Sequence, residues 1–129
     1  MKLLKTTMIA SGMLLGLSGL LNPASAQTNE AKAAQTKRGH ELMLKVGCHT
    51  CHGTVGQGST VTGPTLAPKV LPYDGFAAYV RAPTREMPPY SEKVLSEPDL
   101  QAIHAYLSSV PEAPAADSIK LLPKPTPAK

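Results

Sequence analysis

The sequence of 129 residues is poor in the side chains that usually fill a protein core. It contains no tryptophan and a single phenylalanine, Phe76, and aromatic residues make up 4% of the chain. A domain of about a hundred residues buries a smaller share of its surface than a larger domain does. The side chains alone therefore predict a thin core.

The chain also lacks a strong excess of either charge. Of its 13 basic residues, Lys2 and Lys5 belong to the N-terminal segment, which leaves 11 basic residues against nine acidic ones. Binding to nucleic acid depends on a basic surface that attracts phosphate groups. The near balance of charges disfavours nucleic acid as a partner.

Long apolar runs are confined to the N-terminus. Two lysines precede an apolar stretch over residues 8–21, which is followed by helix-breaking Pro23 and the small residues Ala24-Ser25-Ala26. This pattern is typical of a secretory signal peptide, here residues 1–26, with cleavage directly after Ala26. The stretch is shorter than the about 20 residues of a membrane span. We predict export to the periplasm without stable membrane insertion after cleavage; an uncleaved anchor is the alternative.

The only two cysteines lie in the segment Cys48-His49-Thr50-Cys51-His52. C-x-x-C-H is the attachment signature of a c-type haem. Two thiols about one helical turn apart can add to the two vinyl groups along one haem edge, and the following imidazole can bind the iron. Export supports this interpretation, because haem c is attached outside the cytoplasm. One motif predicts one covalently attached haem c, which would add apolar mass to the thin core.

The motif has two other interpretations. A redox-active dithiol is expected close to a βαβ pattern, and the sequence has no strand-like run rich in Val, Ile or Thr. A zinc site needs further Cys or His residues at ligand spacing, and His40 and His104 form no recognisable pattern. Haem attachment is the interpretation that we favour.

Apolar periodicity predicts three helices around the motif. Their apolar faces are Gly39, Leu42, Met43 and Val46; Phe76, Tyr79 and Val80; and Leu100, Ile103, Leu107 and Val110. We expect the first helix to end at Gly47, Asp74 to cap the second, and Ser96-Glu97-Pro98-Asp99 to open the third. We predict one domain over residues 27–110, followed by a Pro-rich tail, residues 111–129, that is extended or disordered.

The order of these elements resembles that of class I cytochromes c over roughly residues 36–111. The shared elements are Gly39 in the first helix, Cys48-x-x-Cys51-His52-Gly53, Gly63-Pro64-x-Leu66, Met87-Pro88 and a last helix with Tyr106-Leu107. The chain departs from the family in having Met43 where an aromatic residue is common, and in lacking a tryptophan near the haem propionates. The resemblance implies an all-α fold in which three to four short helices and loops wrap around one covalently attached haem.

The resemblance also implies which residues hold the haem on its proximal side. Cys48 and Cys51 would form the two thioether bonds, and His52 would bind the iron. The carbonyl group of Pro64 would accept a hydrogen bond from the second ring nitrogen of His52 and so orient the imidazole. Leu66 would pack against the same face of the haem.

Met87 is the sixth iron ligand that the resemblance implies. Met43 is the other methionine beyond the predicted signal peptide, but it lies close to the attachment motif on the apolar face of a helix, which favours core filling. Met87 follows His52 by 35 residues in a loop stiffened by two prolines. An open coordination site or a histidine ligand is the alternative. The role of Arg81, as a propionate contact or a solvated helix end, stays open.

A haem iron bound by histidine and methionine has no open position, so the resemblance implies outer-sphere electron transfer rather than catalysis. We expect a monohaem cytochrome that passes single electrons between periplasmic redox partners, with a dehydrogenase as donor and a terminal oxidase or another cytochrome as acceptor. The chain could be a free carrier or the small cytochrome subunit of a dehydrogenase, whose surface the Pro-rich tail could follow. A haem protein with an open site, gas-binding or peroxidase-like, is the alternative.

Overall fold

Four α-helices form the part of the chain that the computed structural model describes, residues 23–121, with side chains described from Gln27 onward. They are α1 (Pro23–Lys45), α2 (Cys48–His52), α3 (Tyr73–Arg81) and α4 (Glu97–Ser109), and a 3₁₀ turn follows at Ala116–Ser118. Within residues 23–121 the only strand-like pairing is an isolated antiparallel bridge between Ser59 and Gly63. The predicted all-α fold is confirmed. None of the described helices has both the length and the apolar character that crossing a membrane requires.

Helix α1 begins at Pro23, so this proline starts a helix instead of breaking one. Proline is tolerated in a first helical turn because its missing N–H group would have no partner there. The predicted cleavage point after Ala26 lies in this first turn. Residues 1–22, which hold most of the predicted signal peptide, lie outside the described residues, and the signal peptide stays a prediction.

Helices α1 and α4 cross at Gly39. A Cβ atom built on Gly39 would lie 1.9 Å from the carbonyl oxygen of Ala102 and 2.8 Å from the Cβ atom of Tyr106. No side chain fits between the two backbones at this point. On the exposed side of the crossing, Arg38 on α1 donates two hydrogen bonds to Asp99 on α4, at 2.5 and 3.1 Å. This pair holds the pKa of the Asp99 carboxyl below its usual value.

The core is small and lies between α1, α3 and α4. Its buried apolar members are Met43, Ala67, Phe76, Val80, Leu95, Leu100, Ala102, Ile103 and Leu107. Phe76 is the only phenylalanine of the chain, and the other large members are aliphatic. The thin core expected from the composition is what the described residues contain.

Two local expectations about the helix ends had different outcomes. Asp74 does not cap α3, because Pro72 holds the cap position and Asp74 lies inside the first turn, where its charge still favours the helix dipole. Ser96 does precede α4, as predicted, but its side chain makes no capping hydrogen bond to the helix backbone. Helix α4 ends at Ser109, and residues 111–115 have no regular structure. The division between residues 27–110 and the tail stays a prediction.

Candidate haem site

Helix α2 carries both cysteines and the motif histidine on a little over one helical turn. Residues three apart on a helix are neighbours on its surface, so Cys48 and Cys51 lie on the same side of α2. Neither thiol forms a disulfide bond. Burial is the main reason that the pKa of the Cys48 thiol is raised above its usual value. Because neither is in a disulfide, both thiol groups are available for a covalent bond to another group.

His52, at the end of α2, is buried and hydrogen-bonded to Pro64. Its side chain is the only buried polar one among the described residues, at 8% exposed. The Nδ1 atom lies 2.8 Å from the carbonyl oxygen of Pro64. A carbonyl oxygen only accepts, so Nδ1 carries the ring proton and Nε2 is left as a neutral donor atom, the form that binds metals.

The loop that presents the Pro64 carbonyl is tied directly to α2. The N–H group of Gly58 donates to the carbonyl oxygen of His52 at 2.7 Å, and Gly58 has a φ of 66°. A Cβ atom on Gly58 would lie 2.5 Å from the backbone nitrogen of Thr65, so the loop closes on itself at this residue. The hydroxyl of Thr62 donates to the carbonyl oxygen of Cys51 at 2.8 Å. These contacts fix the distance between the His52 ring and its carbonyl partner.

An apolar cavity of about 300 Å³ adjoins His52. Most of its walls are core or partly buried apolar side chains, among them Met43, Leu66, Val70, Phe76, Val80, Met87, Ile103 and Leu107. A second, more open cavity of about 780 Å³ is lined by both cysteines and shares the His52, Pro64 and Met87 walls. Sites for small molecules and cofactors have volumes of about 300–1,000 Å³. The two cavities share walls and together form a space of cofactor size, which is apolar at its inner end and opens beside the cysteines through a more polar part.

The structure brings all six sequence-predicted site residues to these cavities. Cys48, His52, Pro64 and Met87 line both of them, Cys51 lines the open one and Leu66 lines the apolar one. Met43 is fully buried and packs in the core, at 0% exposed. Of the two methionines, Met87 is thus the one that reaches both cavities.

Sequence reasoning missed the residues that hold the loop around Met87, residues 82–96 (the Met87 loop). The Arg81 guanidinium donates to the carbonyl oxygens of Tyr90 and Leu95 and to the carboxylate of Glu97. It therefore lies against its own protein and is not a solvated helix end. The signal for Tyr90 was present, since it is a lone aromatic residue in a polar, proline-rich loop. No local pattern could have shown the targets of Arg81, because they lie nine to sixteen residues away. Two of them are in a loop without periodicity, and the third is at the start of α4.

Two of the other histidines, His40 and His104, have structural partners. His104 lies 2.8 Å from the carbonyl oxygen of Leu71 through its Nε2 atom, and its ring packs edge-on against Tyr73. The ring of His40 lies 4.7 Å from that of Tyr106, centre to centre. The described residues contain no group of three or more His, Cys, Asp or Glu side chains that could hold a metal ion. The zinc interpretation therefore gains no support from residues 27–121.

The residues present fit a c-type haem. Two free thiols lie one helical turn apart, a buried imidazole has its second nitrogen oriented by a carbonyl, and a thioether lines the same apolar cavity. Histidine and methionine are a known axial pair for haem iron. The possible iron ligands and the apolar walls of the cavity thus agree with the attachment motif.

Comparison with known proteins gives the family. A model of the family described as "Cytochrome C oxidase, cbb3-type, subunit III" matches residues 34–107, which is more than half of the chain. Neither the curated proteins nor the solved structures gave a match. The matched range contains α2, the Pro64 loop and the Met87 loop, and it ends within α4. The chain therefore belongs to this cytochrome family and is a c-type monohaem electron-transfer protein with covalently bound haem c.

Proposed function

We propose that the protein is a periplasmic carrier of single electrons, exported by an N-terminal signal peptide that is cleaved after Ala26. The donor in this proposal is a periplasmic dehydrogenase, and the acceptor is a terminal oxidase or another cytochrome. The description of the family as an oxidase subunit favours an oxidase on the acceptor side. The charged leader, apolar stretch and small-residue triplet at the N-terminus support export.

In this proposal His52 and Met87 would bind the haem iron, and Cys48 and Cys51 would bear the thioether bonds. Leu66 would pack against the haem beside His52. The hydrogen bond from His52 to Pro64, at the edge of an apolar cavity that Met87 also lines, is the observation that carries the ligand assignment. Because this bond uses Nδ1, the nitrogen left for the iron is Nε2.

A haem held in this way supplies a reversible one-electron change at its iron. The protein sets the potential at which that change occurs. The Pro64 carbonyl holds the proton on Nδ1 and makes His52 a better electron donor. The thioether of Met87 is a soft ligand that favours the reduced metal. Apolar walls such as Phe76, Val80 and Leu107 exclude water and disfavour the extra positive charge of the oxidised state.

The alternative of an open coordination site is separated from this proposal by adding carbon monoxide to the reduced protein purified from the periplasmic fraction. We expect the wild type to bind carbon monoxide slowly, because Met87 must first leave the iron. We expect the Met87→Ala variant to bind it promptly and to have a lower reduction potential, since a soft ligand has been removed. Absorption spectra and potentiometry measure both effects.

The other methionine provides the matched control. Met43→Leu conserves volume in the core and costs under about 1.5 kcal/mol, so it should keep the slow reaction and the wild-type spectrum. Prompt binding by the wild type at neutral pH would contradict the closed site. A Met87→Ala variant that matched the wild type would remove Met87 from the ligand set. Recovery of the haem protein only from the cytoplasmic fraction would contradict the proposed location.

A further inference from the structure

The loop that carries Met87, residues 82–96, has no helix or strand to hold it. Its backbone makes few hydrogen bonds to the rest of the protein, and one of these joins the N–H group of Tyr90 to the carbonyl oxygen of Val80, at 3.1 Å. Two prolines after Met87 stiffen the chain locally but do not attach it to the helices. The position of Met87 therefore depends on side-chain contacts made by its neighbours.

Arg81, the last residue of α3, makes the most extensive of these contacts. Its Nη1 atom donates to the carbonyl oxygen of Tyr90 at 2.9 Å and to that of Leu95 at 2.7 Å. One guanidinium nitrogen thus joins two points of the loop that are five residues apart. Leu95 is itself buried in the core, so the loop is fastened to a fixed point.

The guanidinium is held in place by a second pair of groups. The Nη2 atom of Arg81 donates to Glu97 at 3.1 Å, and the other carboxylate oxygen of Glu97 accepts from the hydroxyl of Tyr73. The Arg81 side chain is 21% exposed. A half-buried, planar guanidinium with acceptors on two sides has little freedom to rotate away. The contact is therefore built into the ends of α3 and α4.

Tyr90 fastens the other side of the loop. Its hydroxyl donates to the carbonyl oxygen of Val46 at 3.0 Å, two residues before the start of the attachment helix α2. Tyr90 lies three residues after Met87 and receives the Arg81 hydrogen bond on its own carbonyl group. The loop is thereby tied to α3 through Arg81 and to the junction of α1 and α2 through Tyr90.

We propose that Arg81 is a positioning residue for the sixth iron ligand: by binding the Tyr90 and Leu95 carbonyl oxygens it holds the loop closed and keeps Met87 in the haem cavity. The inference rests on the proposed function, in which Met87 binds the iron. A loop closed at both ends has fewer conformations in which its thioether lies away from the iron. Loss of the Arg81 hydrogen bonds therefore raises the rate at which the Met87 thioether dissociates from the iron.

The test measures the rate of carbon monoxide binding to the reduced, haem-containing protein. Arg81→Gln removes the charge and the forked donor, and we expect it to bind carbon monoxide at least about tenfold faster than the wild type. Lys93→Gln is the matched control, because Lys93 is an exposed cation in the same loop with no hydrogen bond or ion pair in the structure. Its rate should equal that of the wild type. The absorption band of the bond between the thioether and ferric iron is followed in parallel while the pH or the temperature is raised. In Arg81→Gln we expect the band to be lost at a lower pH and at a lower temperature than in Lys93→Gln.

A merely structural role would lower the melting temperature of Arg81→Gln and leave the carbon monoxide rate and the absorption band unchanged, and this result would overturn the inference. If Arg81→Gln does not fold, Arg81→Lys decides the question. Lysine keeps the charge but lacks the planar fork, so a raised rate supports the inference and a wild-type rate rejects it. The Met87→Ala variant separates the two proposals. If the wild type binds carbon monoxide as fast as Met87→Ala does, Met87 is not an iron ligand. If the wild type and the Arg81 variants all bind it equally slowly, only the positioning role of Arg81 is refuted.

Discussion

Single side chains that bind main-chain carbonyl oxygens hold the haem site together. The pairs are His52 with Pro64, Arg81 with Tyr90 and Leu95, Tyr90 with Val46, and Tyr106 with Thr54. Most of these carbonyl groups belong to loops, where no helix or sheet supplies a backbone donor. A carbonyl group that is removed from water without a donor destabilises the fold. The same contacts therefore provide hydrogen-bond donors for the loop carbonyl groups and fix the residues of the candidate haem site.

Tyr73 is the residue whose titration reports on the cluster around Arg81. Burial, followed by the hydrogen bond to Glu97 and the charge of that carboxylate, raises the pKa of Tyr73 from 10.0 to about 12. Between these two pH values the unfolded chain has lost the proton and the folded protein has kept it. The free energy of unfolding therefore falls as the pH rises from 10 to 12.

We expect the tyrosinate absorbance assigned to Tyr73 to develop near pH 12, measured as the difference between the wild type and Tyr73→Phe. In Glu97→Gln the pKa should fall because the charged acceptor is gone, but it should stay above 10 because burial, the largest cause, remains. A wild-type Tyr73 phenol that titrates near 10.0 would show that the hydroxyl is neither buried nor bound to Glu97.

At the scale of the helices, the crossing of α1 and α4 determines how the attachment helix is placed. Helix α2 follows α1 after two residues, so the orientation of α1 on α4 sets where the cysteines and His52 lie. Gly39 permits the close approach because it has no side chain to separate the backbones. The ring pair of His40 and Tyr106 and the ion pair of Arg38 and Asp99 flank the crossing.

We expect Gly39→Ala to lower the free energy of unfolding by about 1–3 kcal/mol, the usual range for overpacking a buried contact. The new Cβ atom would lie 1.9 Å from the carbonyl oxygen of Ala102, so the two helices must move apart. Gly75→Ala is the control, since nothing lies within 4 Å of a Cβ atom there and the residue is on α3. That substitution should stabilise the protein by about 0.5–1 kcal/mol. Chemical denaturation of both haem-containing variants measures the difference, and equal effects of the same sign would contradict the close crossing.

The sequence predicted the position of a helix where an apolar face marks that helix clearly. The face of Gly39, Leu42, Met43 and Val46 identified the end of α1, and the capping signature at Ser96 identified the start of α4. The Asp74 cap was wrong because Pro72 holds the cap position two residues earlier and α3 begins at Tyr73. A proline at that point has no local signature that outweighs an Asp. The sequence of the Met87 loop has no apolar periodicity. Its anchor, Arg81, is set by tertiary contacts and could not have been derived from spacing.

For the whole molecule, the cavity and the core are built from the same residues. Met43, Phe76, Val80, Ile103 and Leu107 belong to the buried core and also line the apolar cavity. The remaining core members, Ala67, Leu95, Leu100 and Ala102, do not line this cavity. The low aromatic content predicted this shortage of packed core. The loop residues Val70 and Leu71, in contrast, became apparent as cavity lining only from the fold.

We therefore expect the haem to be required for stable folding. Unfilled apolar space in a protein core is destabilising in proportion to its volume, and a space of about 300 Å³ adjoins most of the large core side chains. A small domain has only about 5–15 kcal/mol of stability with which to offset that loss. A Cys48→Ser, Cys51→Ser double variant, which cannot attach haem covalently and is freed of any residual haem by extraction, should show reduced helical circular dichroism and no cooperative thermal transition. The haem-containing wild type, measured in the same buffer, should show both helical structure and a sharp transition. A double variant that melts cooperatively with wild-type helix content would mean that the polypeptide closes the cavity by itself, and the core would then not depend on the cofactor.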